Sequence, residues 1–113
     1  MVTLSVIIPV YNEQGSIGLL LTDLEAALDA IPEASEILVV DDGSTDGTRA
    51  VLAEHRSRSA RLRVVWLRRN FGQTSAMAAG FERARGDVMI TMDGDGQRPR
   101  RHPRTPRGSG PGL

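Results

Sequence analysis

Apolar residues are distributed along this chain in two alternating rhythms. Short continuous runs occur at Leu4–Val10 ("LSVIIPV"), Glu36–Val40 ("EILVV"), Leu62–Leu67 ("LRVVWL") and Asp87–Met92 ("DVMITM"), all rich in β-branched residues. Such runs are expected of strands buried on both faces. Between the first two, Ile17, Leu20, Leu21, Leu24, Leu28 and Ile31 recur at helical spacing until Pro32 stops them. Thr48 to about Arg58 suits a second helix with Val51 and Leu52 inward, and Gln73 to Arg85 a third with Met77, Phe81 and Ala84 on one side. Strands alternating with helices at this spacing predict right-handed βαβ units. The expected fold is α/β, a parallel sheet of about four strands with helices on both faces. Trp66, inside the third run, is expected in the core.

The rhythm stops after Gln97. All 14 basic residues are arginine and five of them follow Gln97, whereas all 14 acidic residues precede it. Residues 1–97 therefore read as one patterned unit, and residues 98–113 as an Arg/Pro/Gly-rich tail expected to be disordered. With that tail unstructured, the fourth strand becomes an exposed edge. A length of 113 residues allows one small domain or part of a larger one. Without cysteine there are no disulfides and no thiolate metal sites. No apolar run approaches the roughly 20 residues that span a bilayer, and the first run is too short, and lacks a basic leader, for a signal peptide. The chain reads as soluble and cytoplasmic. Nucleic-acid binding through the tail is a rival reading, but no aromatic interleaves with its arginines, and no nucleic-acid partner is expected.

Ligands of open parallel sheets bind at the carboxyl ends of the strands. Three of the four strand ends here carry polar, glycine-containing loops, "PVYNE", "DDGSTDGT" and "DGDGQ". Asp93 and Asp95, separated by Gly94, can face one hard cation, with Gln97 adding an amide oxygen. Mg²⁺ or Mn²⁺ is the expected ion. An isolated Asp-Gly pair would more simply be a turn, but beside a second acidic loop the metal reading is favoured. Asp42 is expected to face a ligand and Asp46 to serve the following helix as a cap. Pro9 stiffens the first strand's exit, Tyr11 offers a stacking face and Glu13 an acceptor. Asn70, Phe71 and Gly72 fit an ordinary turn as well as a site. Arg68 and Arg69 suit a diphosphate or an exposed strand end equally, and His55 suits a solvated helix face. Neither G-x-G-x-x-G nor G-x-x-x-x-G-K-[ST] is present, so a phosphorylated ligand is expected to be held through a metal rather than helix amides.

Together "SVIIPVYNEQGSI", "ILVVDDGSTDGT", "LRRNFGQTSAMAAGFERARGD" and "MDGDGQ" resemble the amino-terminal half of family-two glycosyltransferases over residues 4–97. The likeness is greatest to the branch typified by dolichol-phosphate mannose synthase and its bacterial polyprenyl-phosphate relatives. The resemblance implies a Rossmann-like GT-A fold, a nucleotide-diphosphate sugar donor and an inverting transfer to a lipid phosphate. It also implies that Pro9, Tyr11, Glu13, Val40 and Asp42 line the nucleoside pocket. Asp93, Asp95 and Gln97 would meet metal and diphosphate, and Gly94 the donor. The family continues past this motif with a proline-containing helical segment that residues 98–113 do not match. Codons exist for Arg98–Arg107 that read Asp-Pro-Ala-Asp-Ile-Pro-Gly-Leu-Leu-Ala in another frame, so the tail is read as a frameshift product. Acceptor-side residues and any membrane contact would then be missing. Turnover by this chain is expected to be absent, and a non-catalytic nucleotide-sugar-binding module is the alternative.

Overall fold

The computed structural model describes residues 1–94 in full and residues 100–103 as backbone. The elements follow one another as β1 (Leu4–Val10), α1 (Ile17–Asp29), β2 (Ser35–Asp41), α2 (Thr48–Arg58), β3 (Leu62–Trp66), α3 (Gln73–Arg83), β4 (Val88–Thr91) and β5 (Arg100–Pro103). The sheet order is β3-β2-β1-β4-β5. The first four strands are parallel, with Val10 opposite Asp41 and Ile7 opposite Thr91.

Strand alternation divides the core into two layers. Val6, Ile8 and Val10 of β1 and Ile37 and Val39 of β2 pack with Ile17, Leu21 and Leu28 of α1, and with Leu52 of α2. On the opposite face Ile7, Leu38 and Met89 meet Ala84, with Met77 and Phe81 of α3 packed against them. A Cβ on Gly80 would stand 2.5 Å from Ile7 Cγ2, so α3 lies on β1 at a distance only glycine permits. This placement follows from handedness. The chain steps from β1 to β2 to β3 in one direction, then returns through α3 to the far side of β1. Right-handed crossovers running in opposite directions put their helices on opposite faces.

The sheet's amino-terminal edge is closed by a polar network. Glu36, 3% exposed, accepts from Ser5 Oγ (2.6 Å), Arg63 Nη1 (2.6 Å) and the Arg85 amide (2.7 Å), and Gly86 N donates to Ser5 Oγ. Burial works to raise the Glu36 pKa. The hydrogen bonds from Ser5, Arg85 and Arg63, together with the Arg63 charge, outweigh it and hold the carboxyl below its usual value.

Three expectations need correcting. Arg100–Pro103, read as part of a disordered tail, pairs antiparallel with β4, Thr91 opposite Arg100 and Val88 opposite Pro103. β4 is therefore flanked on both sides instead of forming the edge. Trp66 is 37% exposed, because it ends the outermost parallel strand; the Arg49 guanidinium lies 5.5 Å from its ring centroid. Ile31, counted with the helical stripe, lies beyond the end of α1 and is exposed. The boundary expected at Gln97 lies outside the described residues. Among the described residues no helix is long and apolar enough to cross a membrane.

Candidate functional site

Strand order reverses at β1, whose successor β2 lies on one side and β4 on the other. A crevice is expected outside the carboxyl ends of the strands at such a point. A cleft of about 540 Å³ is found there, lined by Pro9, Val10, Tyr11, Glu13, Asp42, Asn70, Gly72, Gln73, Asp93 and Gly94. Six of the nine residues expected at the site thus share one cavity: Pro9, Tyr11, Glu13, Asp42, Asp93 and Gly94.

Each wall has a local cause. Asn12 adopts a left-handed conformation (φ 52°) and its side chain knits the β1 exit to the β2 exit. Asn12 Oδ1 accepts from the amides of Thr45 (2.7 Å) and Asp46 (3.3 Å), while Asn12 N donates to Ser44 Oγ (2.9 Å). Asp46 accepts from Thr48 N (2.9 Å) and from the Thr48 hydroxyl at the start of α2. That hydroxyl is the main reason its carboxyl sits below the ordinary range; burial opposes it, and the amides of Thr48 and Gln14 add to it. Asp46, expected to cap α2, is not its N-cap, which is Gly47; its carboxylate binds Thr48 from one position further out, while Asp42 lines the cleft.

Asp42 does more than face the cavity. Although only 3% exposed, it accepts from Phe71 N (2.8 Å) through Oδ1, and from Gly72 N (3.0 Å) and Asn70 Nδ2 (3.1 Å) through Oδ2. It therefore gathers the β3–α3 loop into the cleft wall. Gly43 (φ 74°) makes the closest approach, since a Cβ there would lie 2.3 Å from the Arg69 carbonyl carbon and 2.5 Å from Asn70 N. On the opposite wall Gly94 packs against β1, where a Cβ would meet Val10 Cγ1 at 2.6 Å. Ser16 Oγ lies between Glu13 Oε2 (2.9 Å) and Gly94 O (3.2 Å), joining the β1 and β4 exits. Asp93 Oδ1 accepts from Gln73 Nε2 at 3.3 Å, so the start of α3 reaches across the cavity.

Val40 is fully buried beneath the site, its Cγ2 directed at Gly80 of α3, and is not among the lining residues. Asp95 and Gln97 lie outside the described residues. Among the described residues no three acidic or histidine side chains gather to hold a metal. Arg68 and Arg69 are absent from the lining, and Arg69 stacks on Phe71 at 4.9 Å. Asn70, Gly72 and Gln73 do line the cleft. Sequence reasoning left the first two open between turn and site, because their link to Asp42 spans about thirty positions and leaves no local spacing to read. Gly72 and Gln73 also bring the amino-terminal, electropositive end of α3 to the cavity, which the missing phosphate-loop motifs had not suggested.

Comparison with known proteins agrees with this geometry. The model of Glycosyl transferase family 2 matches residues 5–102. Dodecaprenyl-phosphate galacturonate synthase of Rhizobium johnstonii is 46% identical over 93 residues, which are 81% of this chain and 28% of that protein. The chain thus spans less than a third of the length of that relative. S. aureus TarS 1-349, solved in complex with UDP-GlcNAc, superposes with a TM-score of 0.72 at 33% identity over 82% of this chain and 26% of that one. Mannosyltransferase PcManGT from Pyrobaculum calidifontis, solved with GDP-Man and Mn2+, gives 0.66 at 26% identity, over 81% and 27%. Fold, cleft and matched span lead to one conclusion: the chain belongs to glycosyl transferase family 2.

Proposed function

We propose that this chain carries the donor-binding part of an inverting glycosyltransferase that moves a sugar from a nucleoside diphosphate to a polyprenyl or dolichyl phosphate. The observation that carries the reading is one cleft at the sheet's switch point, with Asp42 on one wall and Asp93–Gly94 on the other. Tyr11, 44% exposed, offers its ring to a base. Asp42 Oδ1 has one protein donor, the Phe71 amide, and a second lone pair left for a base N–H or ribose hydroxyl. Asp93 gives one oxygen to Gln73 and keeps the other for a ligand. That hard oxygen donor fits Mg²⁺ or Mn²⁺, which Asp93, Asp95 and Gln97 would hold. Such an ion supplies charge neutralisation at the departing diphosphate.

An acceptor phosphate is already anionic at neutral pH and needs no general base, so the visible carboxylates are assigned to binding and not to proton transfer. The Rhizobium relative's dodecaprenyl-phosphate supports the acceptor class. The solved UDP-GlcNAc and GDP-Man complexes support the donor class, and the Mn2+ of PcManGT supports the ion. By this reading the enzyme acts at the cytoplasmic side of a membrane in cell-envelope glycan assembly.

Calorimetric titration of the 113-residue chain with UDP and GDP, with and without Mn²⁺, tests the reading. Weak binding that needs the ion and is lost in Asp93→Ala is expected, with no sugar transfer to undecaprenyl phosphate. Absence of binding to either nucleotide at millimolar concentration overturns the donor assignment, and detectable transfer overturns the assignment of inactivity.

A further inference from the structure

Asp41 and Arg49 are left over once the cleft is accounted for. Asp41 is fully buried on the β2 face opposite that of Asp42. Its Oδ2 accepts from Arg49 Nε at 2.8 Å and from Ser44 N at 3.3 Å, and its Oδ1 has no hydrogen-bond partner. Such a carboxylate depends on Arg49 far more than a surface one would. Arg49 in turn is only half-covered. Its Nη2 donates to Leu67 O at 2.7 Å and its guanidinium lies over Trp66. The Leu67 peptide is held from both sides, because Leu67 N donates to Asp41 O at 3.0 Å.

We infer that Asp41 and Arg49 are positioning residues for the cleft, fixing where the β3–α3 loop begins so that Asp42 can fix where it ends. Three consecutive residues of the β2 exit then control one six-residue loop. Asp41, through Arg49, holds Leu67; Gly43 lies against the backbone of Arg69 and Asn70; Asp42 binds Asn70, Phe71 and Gly72. The fork geometry of arginine is essential here, since Nε and Nη2 serve two partners at once. Lysine keeps the charge but supplies a single point. The consequence for ligand affinity rests on the donor reading above; the loop geometry does not.

Hydrogen exchange of the ligand-free 113-residue chain, read amide by amide by NMR, tests the inference. In Arg49→Lys the Phe71 and Gly72 amides should exchange faster by roughly tenfold or more, the factor expected from one lost charge-assisted hydrogen bond. The β1 amides should keep their protection. Emission from Trp66, the sole tryptophan, should shift in the same variant. The pair Asp41→Asn with Arg49→Met removes the uncompensated charge and should recover melting temperature without recovering loop protection, which a merely structural pair would not do. Unchanged exchange at Phe71 and Gly72, or equal acceleration throughout β1, overturns the inference. Nucleotide titration separates the two readings. If the parent chain binds and Arg49→Lys binds as well despite a loosened loop, the positioning role fails. If the parent chain does not bind, the donor reading fails while the exchange result still decides the loop.

Discussion

The adjacent aspartates at the end of β2 show how one covalent step changes a residue's work. Strand alternation sends Asp41 and Asp42 to opposite faces of the sheet, one to a guanidinium and the other to three N–H donors at the cleft. Replacing Asp42 by alanine strands those donors, which water can partly satisfy. Destabilisation of roughly 1–3 kcal/mol is expected from urea unfolding, together with loss of nucleotide binding. Gly43→Ala should cost more than about 2 kcal/mol, because it adds left-handed strain to a collision with backbone that has nowhere to go. A urea midpoint within error of the parent would contradict that. At this scale the sequence was a good guide wherever a role is local. Asp46 and Thr48, the first residue of α2, are two positions apart, so a bond between them was within reach of a local reading, although the N-cap itself is Gly47. The tie from Asp42 to Phe71 and Gly72 depends on which loops the sheet brings side by side.

At the scale of elements, both layers of the core were legible because β1 and β2 are apolar at successive positions, a pattern only a strand covered on both faces supports. Element ends moved by one or two residues, as fraying and polar termini allow. Trp66 was misjudged for a reason pattern cannot supply: β3 is the outermost parallel strand, and its final residue stands at an edge with no further strand beside it among the described residues. The Glu36 network is equally invisible in sequence, since Ser5, Glu36, Arg63 and Arg85 meet only through strand register. It makes a pH prediction. A carboxyl whose folded pKa is depressed contributes stability that is present above its unfolded value, 4.5, and that disappears as pH falls through the lower folded value. Urea unfolding between pH 3 and pH 7 should therefore show a shallower acid slope in Glu36→Gln than in the parent. At pH 7 the variant should be weaker by roughly 1–3 kcal/mol, the worth of hydrogen bonds to a charged acceptor. Equal acid slopes would mean that the Glu36 carboxyl does not hold its partners in solution.

For the whole molecule, the alternation of strands and helices announced a parallel sheet and a ligand rim, yet the position of β4 next to β1 is what makes a cleft. Strand order is decided by packing two helical layers on opposite faces, and no apolar count encodes it. β5 was hidden for a different reason. "RRHP" carries no strand pattern, and charge with a closing proline argues against any central strand. Both features are tolerated at a sheet edge, where one side of the backbone needs no partner. That makes the final segment a covering for β4, whose Val88–Thr91 would otherwise present a free row of backbone donors and acceptors beside a buried β1. A chain ending at Gln97 should fold around the same two layers but associate through that edge. Light scattering and gel filtration at matched concentration should then show larger species than for the 113-residue chain, and Val88–Thr91 amides should lose exchange protection. If the shortened chain stays monomeric with those amides equally protected, β5 contributes no shielding, and the acidic body must keep itself apart by charge alone.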